Sequence, residues 1–174
     1  MKKFIISIDA GTTSNRSILF DLKGKPIFSS QKEFTQYFPK SGWVEHNPDE
    51  IWKTTIKTLK DVIQKAKRLK GKILSIGITN QRETTVLWDK KTGKPVYKAI
   101  VWQDRRTEEF CKKLRKQNKD TMVFNKTGLL IDSYFSGTKI KWILDNVPKA
   151  RQLMNRKQLL LSLIHISEPT RPSS

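Results

Sequence analysis

The chain has 174 residues, with 35 lysines and arginines against 16 aspartates and glutamates, which gives a formal net charge of +19. This length fits one ordinary domain or one half of a two-lobed protein. The 36% hydrophobic and 9% aromatic residues argue against disorder, and a single cysteine excludes a disulfide scaffold. No apolar run approaches the roughly 20 residues of a spanning helix, and the first residues do not read as a secretory signal. We therefore expect a cytoplasmic protein without a membrane partner.

Three short strands are predicted at the start of the chain, in residues 4–8, 17–20 and 27–34. The first two are rich in β-branched residues, and turn-forming residues separate all three. Strands that follow each other this closely predict an antiparallel meander. Further along, residues 73–79 (ILSIGIT) form a continuous apolar run that is typical of a buried parallel strand.

A long helix is predicted from Pro48 to Leu69. Asn47 can cap it, Pro48 suits the first helical position, and Glu50 completes a capping-box spacing. The apolar residues recur at helical spacing: Ile51, Trp52, Ile56, Leu59, Val62, Ile63 and Ala66. Lysines fall between them and are predicted to line the solvated face: Lys53, Lys57, Lys60, Lys65 and Lys67. Because the positive charge lies on such faces and no base-stacking aromatic set accompanies it, we expect no nucleic-acid partner.

The second half of the chain mixes strands and helices. A loop over residues 37–46 precedes the long helix, and a hairpin of residues 84–88 and 95–101 follows the apolar strand. Residues 106–118 and 138–146 are predicted helices, with Cys111 as a packed helix thiol. Strands first, then helices alternating with strands, indicate an α/β fold with a mixed sheet flanked by helices.

The first chemical motif is DAGTTSNR, at the turn between the first two strands. Gly11 lets the backbone approach a ligand closely, and Thr12, Thr13 and Ser14 add hydroxyls that suit phosphate oxygens. Arg16 offers a forked cation for phosphate, and Asp9 could hold Mg²⁺ through water. These residue types are also common in plain hairpin turns, so the motif by itself leaves both interpretations open.

Asp-x-Gly-Thr-x-Ser after the first strand resembles the first phosphate loop of the sugar kinase, actin and Hsp70 superfamily. That resemblance implies a ribonuclease-H-like (actin/hexokinase/Hsp70-type) domain, with which the predicted meander and alternating helices are compatible.

Polar motifs follow two further strands. NQRETT, residues 80–85, comes directly after the apolar strand, and WQDRRT, residues 102–107, follows the next hairpin. In open α/β sheets, ligands bind at strand ends of this kind. A third motif, TGLLIDSYFSGTK, residues 127–139, leads into the last predicted helix.

Together with DAGTTSNR and GWVEHNPDEIW, these motifs resemble the glycerol kinases of the carbohydrate kinase family, which also includes xylulose and gluconate kinases. The resemblance runs from about Phe4 to about Leu160. It implies ATP-dependent phosphorylation of glycerol to sn-glycerol 3-phosphate by the parent protein, with ATP and Mg²⁺ as cofactors and a homo-oligomeric parent.

The resemblance also implies roles for single residues. Arg82 and Glu83 would hold the glycerol hydroxyls, Tyr134 would add its phenol, and Trp102 would pack against the carbon chain. ATP phosphates would be bound by the loop residues Thr12, Thr13, Ser14 and Arg16, with Asp9 near magnesium. Any one of the glycerol residues taken alone also fits a structural role, as an ion pair or a core aromatic.

From Leu161 onward the chain departs from the family and resembles a translated sequencing adaptor. We therefore expect a truncated N-terminal carbohydrate kinase domain in residues 1–160 and a non-native, disordered tail in 161–174. The resemblance implies that the general base lies in the missing part, so no catalytic residue is assigned and the fragment is expected to be inactive alone. Two alternatives stay open: a kinase of another small polyol, and a non-catalytic basic binding module.

Overall fold

The computed structural model describes residues 1–162, which divide into two compact units. The first unit consists of residues 1–34 and 51–82, and the second of residues 35–50 and 83–162. The elements in chain order are β1 (Lys2–Ala10), β2 (Ser14–Asp21), β3 (Pro26–Glu33), β4 (Glu45–His46), α1 (Pro48–Arg68), β5 (Gly71–Thr79), β6 (Val86–Asp89), β7 (Ala99–Ile100), α2 (Glu108–Lys116), α3 (Asp120–Thr127), α4 (Ser136–Asn146), α5 (Pro148–Asn155) and β8 (Leu159–Ser162).

The first unit is built on a four-stranded mixed sheet with the order β3-β2-β1-β5. β1 runs antiparallel to β2, and β2 antiparallel to β3, which confirms the predicted meander. β5 pairs with β1 in parallel, as the apolar run predicts. The sheet thereby brings the end of β1, which leads into the DAGTTSNR turn, beside the end of β5, which leads into NQRETT.

α1 packs on this sheet through one face. Its buried residues, Ile51, Thr58, Val62 and Ala66, recur at helical spacing. Together with β1 and β2 they form a core whose fully or nearly buried members are Phe4, Ile6, Ile8, Leu19, Val62 and Ala66. The Asn47 side chain accepts a hydrogen bond from the Asp49 N–H (3.0 Å), which confirms the predicted cap.

The exposed face of α1 carries most of its lysines and also Trp52. Four of the five predicted surface lysines are exposed, and the fifth, Lys65, lies half-buried with its ammonium 5.7 Å from the Phe28 ring centroid. Trp52 was expected on the apolar face but is 66% exposed. It follows Ile51 by one residue, about 100° around the helix, and so falls outside the buried stripe.

Polar contacts fix the start of β2 to α1. The buried Asn15 amide donates to the Ile51 carbonyl oxygen (3.0 Å) and to Thr54 Oγ1 (2.7 Å). The Ser17 and Thr58 hydroxyls lie 2.9 Å apart in the same interface. Buried polar groups with partners hold a unique geometry. These bonds therefore fix the chain immediately after the Thr12–Ser14 turn.

The prediction that residues 73–79 form a buried strand was wrong in its burial. Leu74, Ile76 and Ile78 are 47–48% exposed. Within the described residues β5 lies at the edge of its sheet and is paired only with β1. An apolar strand is buried only if a neighbour covers it, and the sequence pattern does not say whether that neighbour lies in the same stretch of chain.

The second unit contains two small sheets. β4 pairs antiparallel with β7, and β6 pairs antiparallel with β8. The predicted hairpin of residues 84–88 and 95–101 is therefore not a regular ladder. Its arms are joined by the isolated bridges Thr85–Ile100 and Trp88–Pro95 and by a hydrogen bond from the Val96 N–H to the Leu87 carbonyl oxygen (2.9 Å). Each arm makes its longer pairing with a strand that the sequence did not reveal, because both partners are only two to four residues long.

The helices of the second unit confirm two predictions and add two elements. α2 and α4 overlap the predicted helices 106–118 and 138–146, whereas α3 and α5 were not predicted. α5 begins at Pro148 and buries Ala150 and Leu153. A core of Leu87, Ile100, Ile143 and Ala150 joins the helices to the strands. Among the helices in residues 1–162, none has the length and apolar character needed to cross a membrane.

β8 includes the first two residues of the predicted tail. Leu161 and Ser162, the first two residues of the segment expected to be disordered, pair with Leu87 and Val86. These two residues are therefore part of a strand, because the edge of β6 offers backbone partners. The rest of the predicted tail, residues 163–174, lies outside the described residues.

We expect the thiol of Cys111 to be inert in the folded chain. Cys111 is fully buried in α2, and burial raises the pKa of its thiol. Only the thiolate reacts, so modification by a disulfide reagent at neutral pH should be on the order of 100-fold slower than in denaturant. Time-resolved absorbance with Ellman's reagent measures this, and a native rate equal to that of a free thiol would contradict the packing.

Candidate functional site

The DAGTTSNR turn of the first unit is tight. The Gly11 N–H donates to the Ser14 carbonyl oxygen (3.0 Å). A Cβ at residue 11 would lie 2.9 Å from that oxygen, so a larger residue would force the turn open. Thr13 is exposed, and Thr12 and Ser14 are half-buried. The turn thus presents hydroxyls and backbone N–H groups together, an arrangement that suits an anion.

Asp9 and Arg16 face each other across this turn. They are register partners in β1 and β2, and Arg16 donates to Asp9 Oδ2 (3.2 Å). Their side chains are 43% and 46% exposed, so the ion pair is weak and can be rearranged by a stronger ligand. Thr79, at the end of β5, donates to Asp9 Oδ1 (3.1 Å).

The donor set at Asp9 fits a magnesium ion that is bound mainly by water and phosphate. Within residues 1–162 no cluster of three or more acidic, histidine or cysteine side chains could cage a metal. Mg²⁺ often binds through one or two carboxylates plus substrate phosphates and waters. A single accessible carboxylate beside a phosphate-type turn satisfies that requirement.

In the second unit, Glu83 lies at the start of α4. Its Oε2 accepts hydrogen bonds from both the backbone N–H and the hydroxyl of Ser136, each 2.7 Å long. Because the N-terminus of a helix carries a partial positive charge, this position stabilises the carboxylate. Glu83 itself has a φ of 61°. A non-glycine residue in the left-handed region is strained, and such strain is concentrated at functional sites.

Trp102 and Tyr134 form an aromatic pair close to the same helix. Their ring centroids lie 5.8 Å apart at an interplanar angle of 64°. The Trp102 N–H of the backbone donates to the buried Thr84 hydroxyl (3.3 Å), so the residue after Glu83 also supports Trp102. The Tyr134 N–H donates to Asp132 Oδ1 (2.7 Å). The structure thus brings Glu83, Trp102 and Tyr134 into one unit.

Arg82 and Gln81 end the first unit. Arg82 is exposed and immediately precedes Glu83 in the chain. Gln81 is only 5% exposed, and within the described residues neither its amide nitrogen nor its amide oxygen has a hydrogen-bond partner. Buried amides are almost always hydrogen-bonded in folded proteins, so Gln81 is an exception among the buried side chains described. The sequence offered NQRETT as a ligand motif but did not single out Gln81.

Two residues of the WQDRRT motif turned out to be structural. The Arg106 side chain is fully buried between two carboxylates, 2.8 Å from Glu45 Oε1 and 2.8 Å from Asp104 Oδ2. Its guanidinium also lies over the Trp43 ring, 3.8 Å from the centroid. Asp104 in turn accepts the Val44 N–H (2.6 Å). Arg106 and Asp104 therefore stabilise the fold, and their buried charges are inaccessible to a ligand.

Arg105, the other arginine of that motif, supports the loop before α4. It donates to Asp132 Oδ1 and to the Ser133 hydroxyl, both at 3.0 Å. Sequence reasoning missed this role, because the loop residues lie 27 and 28 positions further along. The charged neighbours of Tyr134 were therefore not recognisable as one group.

Comparison with known proteins extends this picture. The family described as the FGGY family of carbohydrate kinases, N-terminal domain, matches residues 4–166. The chain is 57% identical over 163 residues to the glycerol kinase of Oceanobacillus iheyensis, a match that covers 94% of this chain and 33% of that protein. The chain therefore spans about a third of the length of the curated relatives that it matches.

Solved structures show the same fold. The glycerol kinase of Plasmodium falciparum, crystallised with ADP, matches with a TM-score of 0.87 and 34% identity, over 92% of this chain and 32% of that one. The ligand-bound xylulose kinase of Lactobacillus acidophilus matches with a TM-score of 0.77 and 23% identity, over 84% and 29%, and supports the fold alone. The predicted ribonuclease-H-like, actin/hexokinase-type α/β fold is confirmed. The family match covers nearly the whole length of the chain, which therefore belongs to the FGGY family of carbohydrate kinases and represents its N-terminal domain.

Proposed function

We propose that the parent protein of this chain transfers the γ-phosphoryl group of ATP to glycerol and produces sn-glycerol 3-phosphate. The observation that carries the proposal is the grouping of Glu83, Trp102 and Tyr134 around the start of α4. A carboxylate next to an aromatic pair suits a small molecule with hydroxyls on a short carbon chain. The 57% identity to a glycerol kinase favours glycerol over another polyol.

Each proposed contact has a chemical reason. Both hydrogen bonds to the Glu83 carboxylate reach Oε2, and Oε1 of the same group would accept a glycerol hydroxyl. Arg82 would donate to a hydroxyl, the Tyr134 phenol would bond another, and the Trp102 ring would cover the carbon chain. A site that pairs every hydroxyl of a buried triol rejects analogues that lack one.

The nucleotide end of the proposal rests on the DAGTTSNR turn. Thr12, Thr13, Ser14 and Arg16 would bind ATP phosphates, and Asp9 would hold Mg²⁺ through water. When bound, the metal neutralises phosphate charge during transfer. Arg16 would then exchange its bond with Asp9 for one with a phosphate oxygen, which the exposure of both side chains permits.

The proposal assigns no general base within residues 1–162. Phosphoryl transfer depends on positioning and charge neutralisation, and the acceptor hydroxyl still needs a group to take its proton. We place that group in the two thirds of the relatives' length that this chain does not span. The proposal also includes a cytoplasmic location and a homo-oligomeric parent.

We expect the natural full-length protein to phosphorylate glycerol and the 174-residue chain to show no turnover. The physical reason is that the chain holds the triol contacts and the first phosphate turn but no base. A coupled assay with glycerol and a panel of other small polyols measures both proteins. Preference of the full-length protein for a different polyol would contradict glycerol as substrate, and turnover by the 174-residue chain would contradict the absence of the base.

A further inference from the structure

Lys139 is a buried cation that the proposed chemistry does not use. It lies in the first half of α4 and has no exposed surface. Its ammonium donates to the carbonyl oxygen of Ser133 (2.9 Å) and to that of Tyr134. A buried charge is costly unless it is paired and hydrogen-bonded, and these two carbonyls supply the bonds. A leucine or methionine would fill the same space without that cost.

The carbonyls that Lys139 holds belong to the loop that carries Tyr134. Other cations hold neighbouring residues of the same loop. Arg115 donates to the Ile131 carbonyl oxygen (2.6 Å), and Arg105 donates to the Asp132 carboxylate (3.0 Å). Lys139 is the member of this set that reaches Tyr134 itself, whose ring contacts Trp102.

We propose that Lys139 is a positioning residue of the polyol site, which holds the backbone of Ser133 and Tyr134 so that the Tyr134 phenol keeps its place beside the Trp102 ring. This proposal rests on the proposed function of that pair. Lys139 acts through Tyr134 and does not touch the substrate. Small displacements of a positioning group have large effects, since misplacement by about 1 Å can lower a rate by roughly 100-fold.

The surroundings of Lys139 predict that the KM for the polyol depends on pH. Burial lowers the pKa of Lys139 to about 8, although Glu83, Asp104, Asp132 and the Cys111 thiol all act in the opposite direction. Above that pKa the ammonium becomes an amine, which keeps two N–H donors and loses its charge. Its bonds to the two carbonyls weaken, so the KM for the polyol should rise as the pH passes through that pKa.

The test uses the natural full-length enzyme with Lys139→Met, Lys139→Arg and the control Lys141→Met. Lys141 lies on the same helix, half-exposed, and pairs with Asp145. We expect Lys139→Met to raise the KM for glycerol by about tenfold or more and to leave the KM for ATP within about twofold. Lys139→Arg should recover part of the loss, because it restores charged donors, and Lys141→Met should match the wild type.

A second readout does not depend on the reaction. In the 174-residue chain, NMR cross-peaks between the Tyr134 and Trp102 rings should be present in the wild type and Lys141→Met, and weakened or lost in Lys139→Met. Retention of these cross-peaks together with an unchanged KM for glycerol would overturn the proposal. If the full-length wild type does not use glycerol, the proposed function fails, and the cross-peaks still decide the role of Lys139.

The pH profile covers the case in which Lys139→Met does not fold. The wild-type KM for glycerol should then show a rise centred near the pKa of about 8. A KM for glycerol that stays flat through this range would count against the role of Lys139. A rise that persists in a folded Lys139→Arg variant, whose charge is not lost, would also overturn it.

Discussion

Replacing Arg106 with methionine is expected to destabilise the second unit by about 3–5 kcal/mol, the range found when one partner of a buried ion pair is removed. The reason is the pair of carboxylates that it leaves behind. Glu45 and Asp104 have side chains that are 5% and 0% exposed, and both lie 2.8 Å from the Arg106 guanidinium. Without the cation, both buried carboxylates lose their charged partner.

The aromatic neighbours of Arg106 add to this loss. Its guanidinium lies 3.8 Å from the Trp43 ring centroid and 4.6 Å from that of Trp142. A desolvated cation over an indole contributes about 2 kcal/mol or more. Methionine fills part of the volume but offers no charge to either ring.

Urea unfolding of the 174-residue chain, followed by circular dichroism and tryptophan fluorescence, measures the loss. The matched control is the adjacent Arg105→Met, because the Arg105 side chain is 56% exposed and its ion pairs contribute only about 0–1 kcal/mol each. Arg106→Lys retains a charge without the fork and should fall between the two. If Arg106→Met unfolds at the same urea concentration as Arg105→Met, the buried cluster does not stabilise the fold.

The burial of Arg106 could not be predicted from the sequence. WQDRRT was correctly recognised as a polar motif after a strand, but the pattern could not say which arginine is buried. The partners that decide this, Trp43 and Glu45, lie about 60 residues earlier in the chain. Burial of a charge is a property of the tertiary neighbours, and two adjacent arginines have the same local signature.

Local features were predictable where the physics is local. The β1–β2–β3 meander follows from short strands and turn residues, and the start of α1 follows from Asn47 and Pro48. α5 also carried a local signal, since Pro148 stands at its first position, but its eight residues gave too short a periodic pattern. The exposure of β5 could not be predicted, because it depends on which chain segments lie beside it.

The residues of the candidate site show the same difference between local sequence signals and tertiary contacts. Glu83, Trp102 and Tyr134 were proposed from family motifs, and the structure places Glu83 on Ser136 at the start of α4 and the Trp102 ring beside the Tyr134 ring. Lys139 escaped notice because its partners are backbone carbonyls, which leave no mark on the sequence. A lysine in an amphipathic helix is ordinarily a surface residue, so only the structure distinguishes Lys139 from the half-exposed Lys141.

Glu83→Ala in the natural full-length enzyme is expected to lower kcat/KM for glycerol by on the order of 100-fold or more, because a hydrogen bond to a charged group contributes about 1.5–3 kcal/mol and the transferred hydroxyl also loses its orientation. The KM for ATP should stay within about threefold, since the proposed phosphate contacts lie on a different turn of the chain. Arg82→Ala should likewise damage glycerol use more than ATP binding.

Glu83 has two roles that a single variant would confuse. Its Oε2 caps the start of α4 through Ser136, and its carboxylate is proposed to bind substrate. Removing the cap alone costs about 0.5–2 kcal/mol of stability. Glu83→Gln retains an amide oxygen that accepts the Ser136 bonds, so its stability should stay near that of the wild type. It loses the negative charge, and its kcat/KM for glycerol should still fall by about tenfold.

Steady-state kinetics and thermal unfolding of both variants separate the two roles. Glu109→Gln is the matched control, because the Glu109 side chain is 84% exposed and pairs with Lys112 at the surface. If Glu83→Gln keeps wild-type kinetics while Glu83→Ala loses stability and activity together, Glu83 is a helix cap and not a glycerol ligand. A fall in glycerol kcat/KM for Glu83→Gln at unchanged stability places the carboxylate on the substrate, since the substitution keeps the cap and replaces only one accepting, charged oxygen with a donating amide.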